Sequence, residues 1–151
     1  MTSHQIIEIV DLSEGNLALP KYAKKGDSGM DIRANIDKVM VIEPGGSSLV
    51  PSGIKVSIPD GYEIQVRPRS GLAYKKGITV LNSPGTIDSG YRNEIGVILI
   101  NHSGTPFTIT PGERIAQIVL NKVEKIRWKH VKELDVNSDR GEDGFGSSGT
   151  K

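Results

Sequence analysis

Residues 54–66, Ile54-Lys-Val-Ser-Ile58-Pro-Asp-Gly-Tyr62-Glu-Ile-Gln-Val66, place two short alternating runs on either side of a turn. In each run apolar and polar side chains alternate, which is typical of a strand with one buried face. Pro59-Asp60-Gly61 between them favours a turn. The stretch therefore predicts two strands joined as a β-hairpin.

The rest of the chain repeats this pattern of short strands and turns. The 151 residues include 18 Ile and 12 Val against 9 Leu and 5 Ala, a balance that favours sheets over helices. There are also 18 Gly and 8 Pro, many of them in turn signals. We predict an all-β domain, a jelly-roll-like barrel or sandwich of short strands. The further candidate strands are Gln5–Val10, Asp31–Ala34, Lys38–Ile42, Glu94–Ile100, Pro106–Ile109 and Arg114–Val123.

Two segments depart from the strand pattern. Ser70–Gly77 combines a capping Ser, helix-forming residues and a terminal Gly, which predicts one short helix. Arg67 and Arg69 precede it, so two guanidinium groups could converge on an anion, although an ordinary capped surface helix has the same pattern. Asn137–Lys151 is too rich in Gly and Ser to fold alone. We therefore predict a jelly-roll domain at 1–136 and a flexible C-terminal arm at 137–151, for which composition leaves a frayed tail and a ligand flap both open.

Composition and charge exclude several classes of protein. The chain has no cysteine, which excludes a disulfide scaffold, thiolate metal sites and cysteine nucleophiles. Its 19 basic and 18 acidic residues give a net charge of +1, so we expect no general attraction to nucleic acid or to an anionic membrane. No apolar run is long enough to span a bilayer, and the start lacks the pattern of a signal peptide. We expect a soluble intracellular protein, cytoplasmic or nuclear.

Five short segments stand out along the chain: Ala23–Asp31, Arg67–Ala73, Asn82–Tyr91, Gly112–Gln117 and Arg140–Gly149. In this order they resemble the five motifs of the homotrimeric deoxyuridine triphosphatase (dUTPase) family. Each motif alone is weak, whereas five in order over positions 23–149 are specific. Three residues depart from the family pattern: Met30 where Tyr is common, Gly90 in place of a second acid, and Asp143 where Gly is frequent. None of these changes removes a group to which we assign chemistry.

The resemblance implies a dUTP diphosphatase, which hydrolyses dUTP to dUMP and pyrophosphate by water attack on the α-phosphorus. This reaction keeps uracil out of DNA and supplies dUMP for dTTP synthesis. Asp88 would hold and deprotonate the attacking water. Asp31 would act through waters on a Mg²⁺ bound mainly by the phosphates, which suits a hard ion that keeps its waters. Without the motifs, Asp88 is more typical of a turn and Asp31 of a strand end.

The resemblance also assigns the contacts to the phosphates. Arg69, Ser70 and Gly71 would bind them, and Gln117 would lie at the α-phosphate. The residues themselves support Gln117, because Ile115, Gln117 and Val119 are predicted to share one side of a strand. An amide on an otherwise apolar side is more often buried and functional than solvated.

The remaining assignments concern the base, the sugar and the closing arm. Asn82 would read the uracil edge, and Tyr91 would leave no room for a 2′-hydroxyl. Without the motif, Asn82 is equally well explained as a turn former, and Tyr91 as an aromatic residue of a strand. The hairpin that holds Gly85 and Ile87 would reject a 5-methyl group. Phe145 would stack on uracil. The other arm residues that would contact the substrate are Arg140, Gly146, Ser147 and Ser148.

The family architecture implies a homotrimer whose active sites are shared between chains, with dUTP as the ligand and neither membrane nor nucleic acid as a direct partner. Trp128 would lie in a late strand at a subunit contact. Two other functions stay open. One is dCTP deamination on the same fold, which needs acid–base residues that we cannot place. The other is a dUTPase-fold module that binds a protein with nucleotide as the switch. A sugar-binding jelly roll is more distant, because a lone Trp makes a poor sugar platform.

Overall fold

The computed structural model describes residues 3–150 and folds them into eleven short strands and one helix. This confirms an all-β fold with a single short helix. Residues 1, 2 and 151, at the outer bounds of the two predicted segments, lie outside the described residues. The elements are β1 (Glu8–Asp11), β2 (Gly29–Arg33), β3 (Met40–Ile42), β4 (Ser47–Pro51), β5 (Ile54–Ser57), β6 (Tyr62–Arg67), α1 (Ser70–Lys76), β7 (Ile78–Val80), β8 (Gly85–Ile87), β9 (Gly96–Asn101), β10 (Phe107–Ile109) and β11 (Arg114–Lys122).

The strands form four antiparallel sheets in which most neighbours are distant in sequence. The largest sheet has the order β2-β11-β6-β8, and a second has the order β4-β9-β7. The other two sheets have two strands each, β1 with β5 and β3 with β10. The long strand β11 is central, since it pairs with β2 on one side and with β6 on the other. A segment near the C-terminus therefore holds together two strands from the first half of the chain.

The core is built from the β-branched residues that the composition emphasises. Ile32, Ile42, Val97, Leu99 and Ile109 are at most 1% exposed. In β9 the buried Val97, Leu99 and Asn101 alternate with more exposed residues, as expected for a pleated strand with one face inward. Burying each aliphatic side chain stabilises the fold by about 1.5–3 kcal/mol.

The turn at Pro59–Gly61 forms as predicted, but the predicted hairpin is wrong. Tyr62 N donates to Pro59 O at 3.2 Å, and Gly61 adopts a left-handed φ of 85°. The strands on either side nevertheless belong to different sheets, because β5 pairs with β1 whereas β6 pairs with β11 and β8. The alternating pattern specifies which side chains face the core, and it does not specify which strand lies alongside.

The helix begins and ends as its flanking residues dictate, with one correction at its start. The N-cap position is Arg69, with an extended backbone and no side-chain capping bond, so Ser70 is not the cap. Gly77 ends α1 with a left-handed φ of 66°, and its N–H donates to Ala73 O at 3.1 Å. Strands β4, β7 and β8 are not among the strands predicted from the sequence. Within the described part of the chain, no helix has the length and apolar character of a membrane span.

Candidate active site

Three adjacent strands bring Asp31, Gln117 and Arg67 into one row across the largest sheet. Gln117 in β11 faces Asp31 in β2 on one side and Arg67 in β6 on the other. Neighbouring strands lie about 4.8 Å apart, so three motifs that are remote in sequence meet within about 10 Å. The row ends where β6 leads into Pro68 and Arg69, directly before α1. Gln117 Nε2 donates to Pro68 O at 3.0 Å and so ties β11 to that segment.

Two guanidinium groups hold the Asp31 carboxylate. Arg69 Nε lies 3.3 Å from Asp31 Oδ1, and Arg114 Nη1 lies 3.7 Å from Oδ2. The Asp31 side chain keeps 36% of its surface exposed. Ion pairs this exposed contribute little to stability. Their effect is to orient the carboxylate and to place two fixed positive charges beside it.

Arg67 and Arg69, whose convergence on an anion stays a prediction, each contact a different side chain in the single chain. Arg67 donates through Nε and Nη2 to Gln65 Oε1, at 3.1 and 2.9 Å, because both side chains project from the same face of β6. Arg69 lies after the strand end and turns to Asp31 instead. Ser70 and Gly71 follow it at the exposed start of α1, where their backbone N–H groups are open to a ligand.

An open cavity of about 340 Å³ lies against this row. Asp31 and Gln117 form part of its wall, and Lys21, Arg33 and Arg114 add three positive charges against the carboxylates of Asp27 and Asp31. One of the cations is partly engaged, since Arg33 Nη1 donates to Gly112 O at 2.9 Å. The excess of positive charge suits an anionic ligand such as a phosphate chain.

The side of β11 that faces the cavity differs from the predicted one. A β-bulge between Arg114 and Ala116 shifts the register against β2. Ile115 consequently packs in the core together with Ala116, and Arg114 faces the cavity with Gln117. The prediction that Ile115 shares the side of Gln117 is wrong, because a bulge inserts one residue and inverts the alternation.

The second group of predicted residues lies in the segment from β7 to the turn after β8. Asn82 and Asp88 are exposed, whereas Gly85 is buried. A Cβ at Gly85 would lie 3.2 Å from Val66 Cβ and 3.5 Å from Asn82 Nδ2, so a larger residue would press on both. The glycine thus brings the backbone of β8 close to β6 and to the Asn82 amide.

The turn after β8 closes despite the departure at position 90. Tyr91 N donates to Asp88 O at 3.1 Å, and a side chain at Gly90 would meet nothing within 4 Å. The Tyr91 hydroxyl donates to Glu94 O at 2.8 Å, which fixes the direction of its ring. Glycine at position 90 therefore does not open the turn that places Tyr91.

Asp31 and Asp88 of one chain are far apart. Three inter-strand steps of about 4.8 Å separate β2 from β8 in the sheet. Asp31 is level with Arg67, whereas Ile87, the residue before Asp88, is level with Ile64, about 10 Å further along the strands. The two offsets place Ile87 about 17 Å from Asp31, and Asp88 is the next residue along the chain. The structure thus brings Asp31, Arg69 and Gln117 together and keeps the Asp88 segment away from them.

The arm forms turns of its own. Arg140 Nε donates to Asp143 O at 2.8 Å, and Asp143 N donates back to Arg140 O at 3.1 Å. Since position 143 contributes only backbone atoms here, it tolerates Asp in place of Gly. The ring of Phe145 is fully exposed. Among the residues that the structure describes, hydrogen bonds of 137–149 reach no residue before 135, and Gly146, Ser147 and Ser148 are exposed.

The donor set limits the kind of metal that would fit this site. Across residues 3–150 no three His, Asp or Glu side chains cluster as ligands would. Asp31 offers one oriented and partly exposed carboxylate beside the cavity. A single carboxylate fits a hard cation such as Mg²⁺, which keeps most of its waters and takes other ligands from phosphates.

Several cavity residues were not predicted from the sequence. Arg114 lies inside the recognised segment 112–117, so its motif was a usable signal, although the bulge that orients it was not. Lys21 and Arg33 carry no comparable pattern. Gly29 also lines the cavity, and only its contact with Gln117 shows why that position is a glycine.

Comparison with known proteins adds three kinds of finding. The dUTPase family model matches residues 16–149. The deoxyuridine 5′-triphosphate nucleotidohydrolase of Fusobacterium nucleatum subsp. nucleatum is 53% identical over 143 residues, which cover 95% of this chain and 97% of the relative. The enzyme of the same name from Orientia tsutsugamushi strain Ikeda is 54% identical over 138 residues, or 91% and 93% of the two chains.

Solved structures agree in fold. A mutant dUTPase of Staphylococcus bacteriophage 80alpha with dUpNHpp superimposes with a TM-score of 0.85 at 28% identity, covering 97% of this chain and all of that one. A mutant dUTPase of the S. aureus phage phi11, described as coordinating a structural Mg(II) ion, has a TM-score of 0.75 at 25% identity, covering 85% and 98%.

Proposed function

The chain belongs to the dUTPase family, and from that membership we propose that it hydrolyses dUTP to dUMP and pyrophosphate at a site shared between subunits. The observation that carries this proposal is that Asp31 and Gln117 line the cavity together, while Arg69 pairs with Asp31 and the residue before it accepts from Gln117. These residues come from three of the family's motifs, and the cavity's excess of cations matches a triphosphate. The hydrolase activity is the one that the curated relatives' name describes.

The phosphate chain would lie against the cavity wall. Arg69 and Arg114 already flank Asp31, so they can turn one or more N–H groups to phosphate oxygens without a large movement. Ser70, Gly71 and the amide of Gln117 would complete the contacts. Mg²⁺, when bound, would offset the charge of the triphosphate, and Asp31 would orient its waters.

Asp88 would accept the proton of the attacking water. The water oxygen forms a bond to the α-phosphorus, the bond from that phosphorus to the bridging oxygen breaks, and pyrophosphate leaves. The Asp88 carboxylate takes the proton and later releases it to solvent. Its exposed position after β8 leaves it free to face a water on another chain's substrate. A positioned base of this kind contributes about 10²–10⁴ to the rate.

Base and sugar would be selected by the segment from Asn82 to Tyr91. The close approach of Gly85 to Val66 and to the Asn82 amide makes this segment narrow, which supports exclusion of a 5-methyl group near Gly85 and Ile87. The bond from the Tyr91 hydroxyl to Glu94 O holds the ring where it would pack on the deoxyribose. Phe145 and Arg140 would then close over the nucleotide with Gly146, Ser147 and Ser148.

The shared site requires more than one chain, and we propose a homotrimer. The separation of about 17 Å between Asp31 and Ile87, the residue before Asp88, is too large for one chain to hold both the metal's waters and the attacking water at a single α-phosphate. Apolar surface also lacks cover in the single chain: Leu49 and Leu81 are more than half exposed, as are Ile126 and Trp128. A closed three-fold arrangement would complete three identical sites and cover these residues. Trp128 lies in no strand of the single chain, so its predicted strand would need a neighbouring subunit.

A pyrophosphate-release assay over a nucleotide panel tests the activity. We expect dUTP to be hydrolysed, with dTTP, dCTP and UTP slower by at least about 100-fold, because the site rejects them by clash or leaves polar groups unpaired. A chelator should reduce the rate, and added Mg²⁺ should restore it. Equal turnover of UTP and dUTP would contradict the role of Tyr91. Ammonia release from dCTP would indicate a deaminase instead.

A further inference from the structure

Position 29 has no room for a side chain unless the neighbouring Gln117 side chain moves. Gly29 lies in β2 two residues before Asp31, and it is not among the glycines with a left-handed φ. A Cβ on Gly29 would lie 2.3 Å from Gln117 Oε1 and 3.3 Å from Gln117 Cδ. The first distance is far inside van der Waals contact. The space that a side chain would fill at position 29 is therefore occupied by the Gln117 amide.

The other end of the same amide is also fixed. Gln117 Nε2 donates to Pro68 O at 3.0 Å, and Pro68 immediately precedes Arg69. Glutamine has two N–H donors on this nitrogen, and within residues 3–150 the second one has no partner. Because Gln117 lines the cavity, that second N–H is available to a ligand there. The amide thus connects β2, β11 and the segment that carries Arg69.

We propose that Gly29 is a positioning residue, whose bare α-carbon holds the Gln117 amide where it can both support Pro68 and meet the substrate phosphates. This inference rests on the proposed function for the role of Gln117, and on the contacts of the chain itself for the role of Gly29. A methyl group at position 29 would displace the amide rather than the strand, since the end of a long side chain moves more easily than a paired backbone. The displaced amide would lose the Pro68 bond and its place at the phosphates.

The variants to compare are Gly29→Ala, Gln117→Ala and the double variant, with Gly104→Ala as the matched control. A side chain at Gly104 would meet nothing within 4 Å, so that change should leave kinetics and stability as in the wild type. We expect Gly29→Ala to keep its Tm within about 2 °C. Its kcat/KM for dUTP should fall about 10–100-fold, as for loss of one hydrogen bond to a charged group.

The double variant decides how Gly29 acts. If it acts through Gln117, the methyl group adds no further loss once the amide is absent, so the double variant should match Gln117→Ala. Independent multiplication of the two losses would overturn the proposal, and so would wild-type activity of Gly29→Ala. Should Gly29→Ala fail to fold, removal of the amide in the double variant must restore folding. A double variant that also fails to fold would show that the glycine serves the strand instead.

A second readout does not depend on activity. The side-chain amide signal of Gln117 is identified in ¹⁵N spectra of the nucleotide-free protein, because it is the signal that is missing from the spectrum of the Gln117→Ala variant. We expect Gly29→Ala to shift this signal and to speed its hydrogen exchange, because the bond to Pro68 is lost. An unchanged signal would reject the positioning role whatever the kinetics. Conversely, a shifted signal in a protein that does not hydrolyse dUTP would reject the proposed function and leave the role of Gly29 intact.

Discussion

Mixing two inactive variants tests whether Asp31 and Asp88 act together from different chains. In one chain Asp31 lies about 17 Å from Ile87, the residue before Asp88, so Asp31→Asn and Asp88→Asn should each lack a different part of every site. The two proteins are unfolded together in equal amounts and refolded, and mixed trimers are verified by native mass spectrometry. If each site takes the two carboxylates from different chains, about a quarter of the sites contain both wild-type residues. Pyrophosphate release at saturating dUTP should return to about a quarter of the wild-type rate.

The matched control refolds wild-type chains with the Asp31→Asn, Asp88→Asn double variant. This mixture contains the same number of each substitution. Sites shared between chains again give about a quarter of the activity, whereas self-contained sites give about a half. Background activity in the first mixture, together with half activity in the second, would falsify the shared site.

Four further outcomes are expected. Asp88→Asn should lower kcat by about 10²–10⁴ and leave the affinity for a non-hydrolysable dUTP analogue within about tenfold, so a near-normal kcat would make Asp88 a structural turn residue. Asn101 is fully buried, donates to Ile42 O and Thr105 O, and accepts from Ser103. Asn101→Ala should therefore destabilise the protein by about 2–4 kcal/mol in urea unfolding at fixed protein concentration, and a change below about 0.5 kcal/mol would contradict this. The Ser13 hydroxyl, then the backbone N–H groups of Gly15 and Ser13, donate to Asp11 and hold its pKa below the usual value, which favours the ionised form. The stability difference between wild type and Asp11→Asn should therefore be full above about pH 4 and should shrink as the pH falls through the folded-state pKa; a constant difference would contradict it. Amide hydrogen exchange of residues 144–149 should slow when a dUTP analogue binds, because a closed arm orders that backbone, and unchanged exchange would count against a closing arm.

The chain's local patterns were sufficient for most of the elements and for the family. Neighbouring residues and the burial of one face specify the strands within 54–58 and 62–66 and the end of the helix at Gly77. The Ile and Val content favours the all-β class for the same reason. The five motifs identified the dUTPase family correctly, because each is a short segment whose residues do not need their partners to be recognised.

Pairing and geometry were decided only by the tertiary structure. The turn at 59–61 is present, but the strands on either side belong to different sheets. The reason is that β6 pairs with β11, which comes from a distant part of the chain. Because of the bulge before Ala116, Arg114 rather than Ile115 faces the cavity. A pattern of alternating apolar and polar residues does not reveal such a bulge. The reason for a glycine at position 29 is the contact with the Gln117 side chain, which only the tertiary structure reveals.

What the sequence determined by itself is therefore most of the strands, the candidate residues and the chemistry that those residue types can perform. What the tertiary structure decided is which of them meet. Asp31, Arg69 and Gln117 do so within one chain, whereas Asp88 lies at the opposite edge of the same sheet. The physical reason is that burial and turn formation depend on a few neighbouring residues, whereas strand pairing depends on the packing of segments that are remote in the sequence.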